Sequence, residues 1–327
     1  MKGEYSIGLD IGGTKCALCV GEVTDDAVKI VHREEFPTAG KTWQEVLGIY
    51  AEKIGALPQA ISTSQPLNLS TIRIGISCGG PLDSRAGLIQ SPPNLPGWDD
   101  VPIVKYFADR FHVPVRVQND ANACALAEWK FGAGGRCRNM VFMTFGTGLG
   151  AGIVVEGRLY SGTNDNAGEI GHIRLAPQGP KGYNKDGSAE GFCSGAGIAR
   201  LAGIRSREWE MEFDGSESAA RARAGELTTK DIFGYVRAGD PFCTRVFRES
   251  AAKLATILAY TIDILNPEVI VLGGVFMRNA DLFMAEIEPV LAREALPGAL
   301  KVCRIVPAGL SENVGDYAAL AVANMDA

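Results

Sequence analysis

Glu169 and His172 stand three residues apart, and a Gly-rich loop carries the chain from them to Glu190. His172 is one of only three histidines. It reads as a metal ligand, a polar contact for a substrate or a satisfied core residue, and the spacing alone leaves all three open. Asn119-Asp120 forms a second candidate, because it ends the strand-like run VPVRVQ and opens a helix-like one. An Asp at a strand end is where α/β proteins place catalytic groups; it is also a favoured helix N-cap. Two Gly-rich turns complete the set, Asp10-Ile11-Gly12-Gly13-Thr14-Lys15 and Thr144-Phe145-Gly146-Thr147-Gly148. Glycine lets backbone N–H groups approach phosphate oxygens, and threonine adds a hydroxyl donor. Asp10, beside the first turn, can hold a magnesium-bound water. A single turn of this kind reads as a plain hairpin. Two of them, in corresponding halves, read as a phosphate clamp.

The elements that must position these residues alternate between strand and helix signals. YSIGLDIGGTKCALCVGEV reads as strand, Gly-Gly turn, strand, the adjacent glycines suiting a turn with positive φ. Apolar residues recur at helical spacing over 42–57, with strands predicted at 71–77 and 113–118 and helices at 101–111 and 121–131. The stretch 139–160 repeats the opening pattern, strand, Gly-rich turn, strand, and is read as a duplicated unit. Helices follow near 196–203, 229–238 and 241–265, then a strand at 267–274, a helix near 279–295, a strand at 301–306 and a last helix near 314–324. The charged stretch 206–228 is expected to be an irregular surface excursion.

Composition removes several function classes. The chain has 327 residues, which suits two domains better than one, with a net charge of −6. No Lys/Arg cluster points to nucleic acid, no apolar run reaches membrane-spanning length, and no signal peptide is visible, so a cytoplasmic protein is expected. The eight cysteines are scattered through apolar segments and read as free thiols; Cys16-x-x-Cys19 lacks the helix N-terminus that would lower a thiol pKa. Gly40-Lys41-Thr42 fails as a P-loop, because Glu35 stands where its first glycine belongs. Gly146-x-Gly148-x-x-Ala151 fails as a dinucleotide fingerprint, because a strand-like segment follows it.

LDIGGTK, VQNDANACALAE, TFGTGLGAGIV, GEIGH and VIVLGGV occur in this order, and together they resemble the ROK family of sugar kinases in the actin/hexokinase superfamily. The resemblance covers nearly the whole chain. It implies an α/β protein with two ribonuclease H-like/actin-like domains around a central cleft, a small one over 1–121 completed by 310–327 and a large one over 122–309. It implies phosphorylation by Mg-ATP of a hexose or N-acetylhexosamine hydroxyl, the 6-OH, with Asp120 as general base. Gly80, Asn94, Asn119, Glu169, His172 and Glu190 would then contact the sugar. Asp10, Gly12, Gly13, Thr14, Lys15, Thr147, Gly148, Gly273 and Gly274 would serve the nucleotide. A homodimer is also implied.

Many family members hold a structural zinc with three cysteines and the histidine of the GEIGH motif. Here Lys181, Tyr183 and Ser188 occupy the cysteine positions, so no zinc or other protein-held metal is expected. Asp316-Tyr317 is a second departure, standing where apolar residues are common. A catalytically weak sugar-binding sensor of the same fold is the alternative function. A DNA-binding repressor is disfavoured, because the first Gly-rich hairpin begins almost at the start of the sequence.

Overall fold

A computed structural model describes residues 4–24, 27–61, 67–311 and 314–325. The chain divides into two compact units. The first comprises Met1–Arg138, Gly152–Ala167 and Gly309–Ala327; the second comprises Asn139–Ala151 and Gly168–Ala308.

The first unit is built on a five-stranded sheet. Its order is Val28–Pro37, Lys15–Val23, Glu4–Ile11, Arg73–Cys78, Val115–Asn119. The first three strands are antiparallel, and the last two run parallel to Glu4–Ile11. Register places Asp10 beside Ser77, and Cys78 beside Asn119, at the carboxyl ends of three neighbouring parallel strands. That edge is where crossover connections leave room for a ligand.

One face of the sheet is covered by the helix Trp43–Ala60. A capping box between Thr42 and Glu45 starts it, and Val46, Leu47, Tyr50, Ile54 and Leu57 form its buried stripe. The Tyr50 hydroxyl, itself buried, lies 2.8 Å from the Asp10 carbonyl oxygen and 3.1 Å from that of Ala17, which holds the ends of both strands. The Ala-rich helix Val314–Ala323 packs closer still. A Cβ at Gly75 would meet the Ala319 carbonyl oxygen at 2.1 Å, and one at Gly8 would meet the Ala319 Cβ at 2.9 Å. These strand glycines admit the helix backbone.

In the second unit, Val269–Leu272 pairs in parallel with both Met140–Phe145 and Arg304–Pro307. The long helix Pro241–Leu265 starts at Asp240, whose side chain accepts the Cys243 N–H, and buries thirteen residues against this core. Phe145, Phe233, Phe247 and Phe276 pack around Phe283, with ring centroids 5.1 to 5.6 Å apart.

Two expectations need correction. The stretch 206–228 is not an irregular excursion: Gly195–Glu208 is helical to its end and Glu217–Ala224 forms another helix. Ser218, Ala219 and Ala222 are buried, so the charges mark only the outer face. Nor do Gly12 and Gly13 supply a positive φ, since neither is among the glycines with that conformation. They are needed for close approach, because a Cβ at Gly12 would come within 2.8 Å of the Lys15 carbonyl oxygen, and one at Gly13 within 2.3 Å of that of Asn94. The third strand, Val28–Pro37, has polar and charged residues on a half-exposed edge and carried no clear signal. All eight cysteines are free, and Cys16 and Cys19 are both buried.

Candidate active site

The first unit gathers Asp10, Gly13, Gly80, Asn94, Asn119 and Asp120 at the carboxyl edge of its parallel strands. Gly13 touches Asn94. A Cβ on Gly79 would lie 3.4 Å from Asn94 Oδ1, and one on Gly80 would lie 3.0 Å from Asn119 Nδ2. The helix Asp120–Phe131 begins here, and its N-cap is Asn119, whose Oδ1 accepts the N–H groups of Ala121 at 2.9 Å and Asn122 at 3.4 Å. The capping alternative for Asp120 thus falls to its neighbour. Asn119 keeps only its Nδ2 amide for a ligand. Asp120 is the first residue of the helix, and its side chain is exposed. The surrounding protein nevertheless withdraws enough water to push its carboxyl above the ordinary range, against the hydrogen bond that Oδ1 accepts from the Ala121 N–H at 2.8 Å.

Asp10 is more strongly perturbed. Burial pushes its carboxyl from 3.8 up to about 6, and the charges of Asp316 and Asp120 push the same way. A hydrogen bond from Ser77 and the charge of Lys15 oppose the rise. Asp316 is 4% exposed and takes the Arg33 Nε at 2.6 Å. Gly315 stands against Asp10, where a Cβ would lie 2.8 Å from Asp10 Oδ2. The Arg33 Nη2 reaches Glu35 Oε1 at 2.6 Å, and Lys15 Nζ reaches the same oxygen at 2.7 Å. Lys15 and Thr14 are exposed, and the Thr14 carbonyl accepts the Thr38 N–H at 3.0 Å.

Glu128, about two helical turns beyond Asp120, is fully buried. Its Oε2 accepts the N–H groups of Ala133 at 2.8 Å and Gly309 at 3.0 Å, and its Oε1 accepts that of Leu310 at 2.9 Å. It ties the helix Asp120–Phe131 to the segment that leads into Val314–Ala323. Ser77, Asp316 and Glu128 were absent from the sequence-derived site. Asp316 had stood out only as a departure in type, and Glu128 lay unremarked inside NDANACALAE.

The second unit gathers the other candidates. The turn at 146–148 closes with Gly146 N–H on the Gly148 carbonyl at 3.1 Å, and the Gly195 N–H binds the Gly146 carbonyl at 2.8 Å. Gly274, with φ of +58°, lies so near that a Cβ would meet the Phe145 carbonyl oxygen at 2.1 Å. Gly273, whose N–H binds the Met143 carbonyl at 3.0 Å, completes the contact. The turn carrying Thr147 and Gly148 therefore abuts Gly273-Gly274.

On the other side of this turn, Glu190 Oε2 accepts the Leu149 N–H at 3.2 Å, and a Cβ on Gly148 would come within 2.7 Å of the same oxygen. Glu169 precedes the short turn Ile170–His172, and the His172 N–H returns to the Glu169 carbonyl at 3.1 Å. His172 is exposed, so the core reading fails. Its ring meets Tyr183 edge-on at 6.0 Å, and Lys185 Nζ donates to its carbonyl at 2.7 Å.

Where the family resemblance implied cysteines, this chain has a small hairpin, Lys181–Gly182 against Lys185–Asp186. Ser188 Oγ donates to the Gly182 carbonyl at 3.3 Å and accepts the Gly191 N–H at 3.1 Å, capping the short helix Ala189–Cys193 that carries Glu190. Lys181 and Tyr183 point to solvent. None of these groups is a zinc donor, and no cluster of three or more His, Cys, Asp or Glu side chains suited to a metal occurs among the described residues. Tyr183 and Asn184 both have positive φ and form the tip of the hairpin. Backbone bonds, Ser188 and Lys185 thus hold the loop, with Tyr183 contributing its ring.

The chain belongs to the ROK family, which it matches over residues 6–325. It is 33% identical to a glucokinase of Halalkalibacterium halodurans over 304 residues, 91% of this chain and 88% of that one. It is 31% identical to an N-acetylmannosamine kinase of Citrobacter koseri, covering 88% of this chain and 89% of the relative. Among solved structures, a ROK family glucokinase from Streptomyces griseus in complex with glucose and AMPPNP superposes with a TM-score of 0.71 at 28% identity, covering 97% of this chain and 98% of that one. The fold is of the actin/hexokinase type, and the protein is a sugar kinase. No helix among the described residues is long and apolar enough to cross a membrane.

Proposed function

We propose that the protein transfers the γ-phosphoryl group of Mg-ATP to the 6-hydroxyl of a hexose or N-acetylhexosamine, with Asp120 as general base. One observation carries this reading: Asp120 is accessible at the end of a parallel strand, yet its surroundings raise its proton affinity. A carboxylate whose proton affinity is raised can take the hydroxyl proton as the oxygen bonds to phosphorus and ADP departs. Phosphoryl transfer otherwise needs positioning and charge neutralisation. Asn94, Gly80 and the Nδ2 of Asn119 would hold the sugar beside Asp120. Glu169 and Glu190 would accept its remaining hydroxyl hydrogens, and His172 would add an imidazole partner.

The two Gly-rich turns would receive the phosphates through backbone N–H groups and the hydroxyls of Thr14 and Thr147, with Gly273-Gly274 beside the nucleoside and Lys15 at the phosphate end. Asp10 fits a magnesium ion carried by the nucleotide. It is a buried carboxylate crowded by two others, so a cation would relieve its repulsion. One carboxylate with phosphate and water ligands is how Mg²⁺ is commonly bound. The ion would neutralise charge on the transferring phosphoryl group. The loop after His172 is proposed to work without zinc.

The test is a coupled ADP-release assay across hexoses and N-acetylhexosamines, with Asp120→Asn as the comparison. The variant should lose about 10²–10⁴-fold in kcat while sugar affinity changes little. Near-parental kcat would remove Asp120 from the role of base.

A further inference from the structure

A pocket of about 630 Å³ opens in the first unit beside the proposed sugar site. One wall is the antiparallel hairpin formed by Leu82–Asp83 and Leu88–Ile89, and the other is the segment 163–166. The walls are clamped together. Asp165, with φ of +60°, accepts the Ser84 N–H at 2.7 Å and the Ser84 hydroxyl at 2.9 Å. Asp83 Oδ1 accepts the N–H groups of Arg85 and Ala86, which fixes the hairpin turn. The Gln90 N–H binds the Pro81 carbonyl at 2.9 Å. The pocket is thus held open by hydrogen bonds that its own lining groups do not all use.

The side chains of Arg85, Gln90, Asn164 and Asn166 line it and make no hydrogen bond within the described chain. Carboxamides offer donors and acceptors together, which is what hydroxyl groups require. The charge balance is one guanidinium against the carboxylates of Asp83 and Asp165, which disfavours an anion. The predominantly polar lining disfavours an apolar ligand. Its volume lies within the ~300–1,000 Å³ usual for small-molecule sites. A neutral, hydroxyl-rich ligand remains.

Position says which one. Pro81 lines the pocket, and Gly80, its neighbour, lies against the Nδ2 of Asn119. A sugar ring held at Asn94 and Asn119-Asp120 would therefore have the pocket at its side. We infer that the pocket is a subsite for a second sugar ring, so that the protein accepts disaccharides or related glycosides as well as monosaccharides. This rests on the sugar-site reading above and extends it to substrate class.

The test is nucleotide-free titration calorimetry on the full chain. The probes are glucose, N-acetylmannosamine, maltose, cellobiose, gentiobiose and N,N′-diacetylchitobiose. The proteins are wild type, Asn164→Ala/Asn166→Ala and Arg85→Ala. All three substituted residues are exposed, and a melting curve checks that each variant folds. At least one disaccharide should bind the wild type. Its affinity should fall about tenfold or more in the variants, as expected for lost hydrogen bonds, with monosaccharide affinity unchanged. Monosaccharide binding without any disaccharide binding overturns the inference, and so does an equal loss for both classes. Binding of neither class overturns it together with the sugar-site reading. Absence of ADP release alongside intact disaccharide binding would count against the kinase mechanism only.

Discussion

Asp10 is held at a cost to the fold, and that cost can be measured. In the folded protein its carboxyl ionises near 6 instead of 3.8, chiefly because it is buried and next because Asp316 and then Asp120 repel it. An acid whose affinity for its proton is raised on folding keeps that proton in the native state at pH values where the unfolded chain has lost it. Between about 4 and 6 the native state therefore binds more protons, and stability falls as pH rises through that window. Above it the penalty is complete, on the order of 3 kcal/mol. Asp10→Asn removes the charge and keeps a polar group beside Ser77. In metal-free buffer the variant should match the wild type at pH 4 and melt higher at pH 7.5. For a unit of this size the gain corresponds to roughly 6–12 °C. Its kinase turnover should fall at the same time, which would mark Asp10 as a residue kept for function against stability. The assay is a melting series from pH 4 to 7.5. A variant that melts at or below the wild type at pH 7.5 refutes the reasoning. A gain of equal size at every pH refutes its electrostatic part.

Other consequences are separate in place and readout. Glu128→Gln turns an amide toward N–H groups that now meet a carboxylate, and should lose about 2–4 kcal/mol in urea unfolding; a loss under about 0.5 would show that the three bonds add nothing. Gly148→Ala puts a methyl group within 2.7 Å of Glu190 Oε2 and should raise the sugar KM more than it lowers kcat, which steady-state kinetics would show. Prolonged chelation followed by return of Mg²⁺ should restore full activity and leave the melting temperature unchanged, whereas finding about one zinc per chain by elemental analysis would contradict the metal-free loop.

Much of this arrangement was legible as pattern, because the site lies where strands end and helices begin. There, residue type carries local meaning: Gly-Gly, Asn-Asp and Gly-Thr-Gly each interrupt an apolar run with groups that have little use in a core. Their geometry was less legible. Asn119 and Asp120 are both good N-caps, and only the backbone shows that Asn119 takes the cap and leaves Asp120 its open carboxylate. Gly12 and Gly13 invited a turn argument, yet their reason is an approach to Lys15 and Asn94, the latter about eighty positions away. The features that escaped altogether depend on longer separations still. Asp316 stands 306 positions from Asp10 and 283 from Arg33, so its type could signal a departure but not its partners. Glu128 binds Gly309 and Leu310 through their backbones, which carry no side-chain signal at all. The same holds for the hairpin at the positions where the family resemblance implied zinc ligands. The missing cysteines could be read directly, but the serine cap and the lysine that secure the loop became visible only with the fold. A loop that presents Glu190 can be secured by metal bonds or by hydrogen bonds, and Ser188 and Lys185 supply bonds of the second kind here.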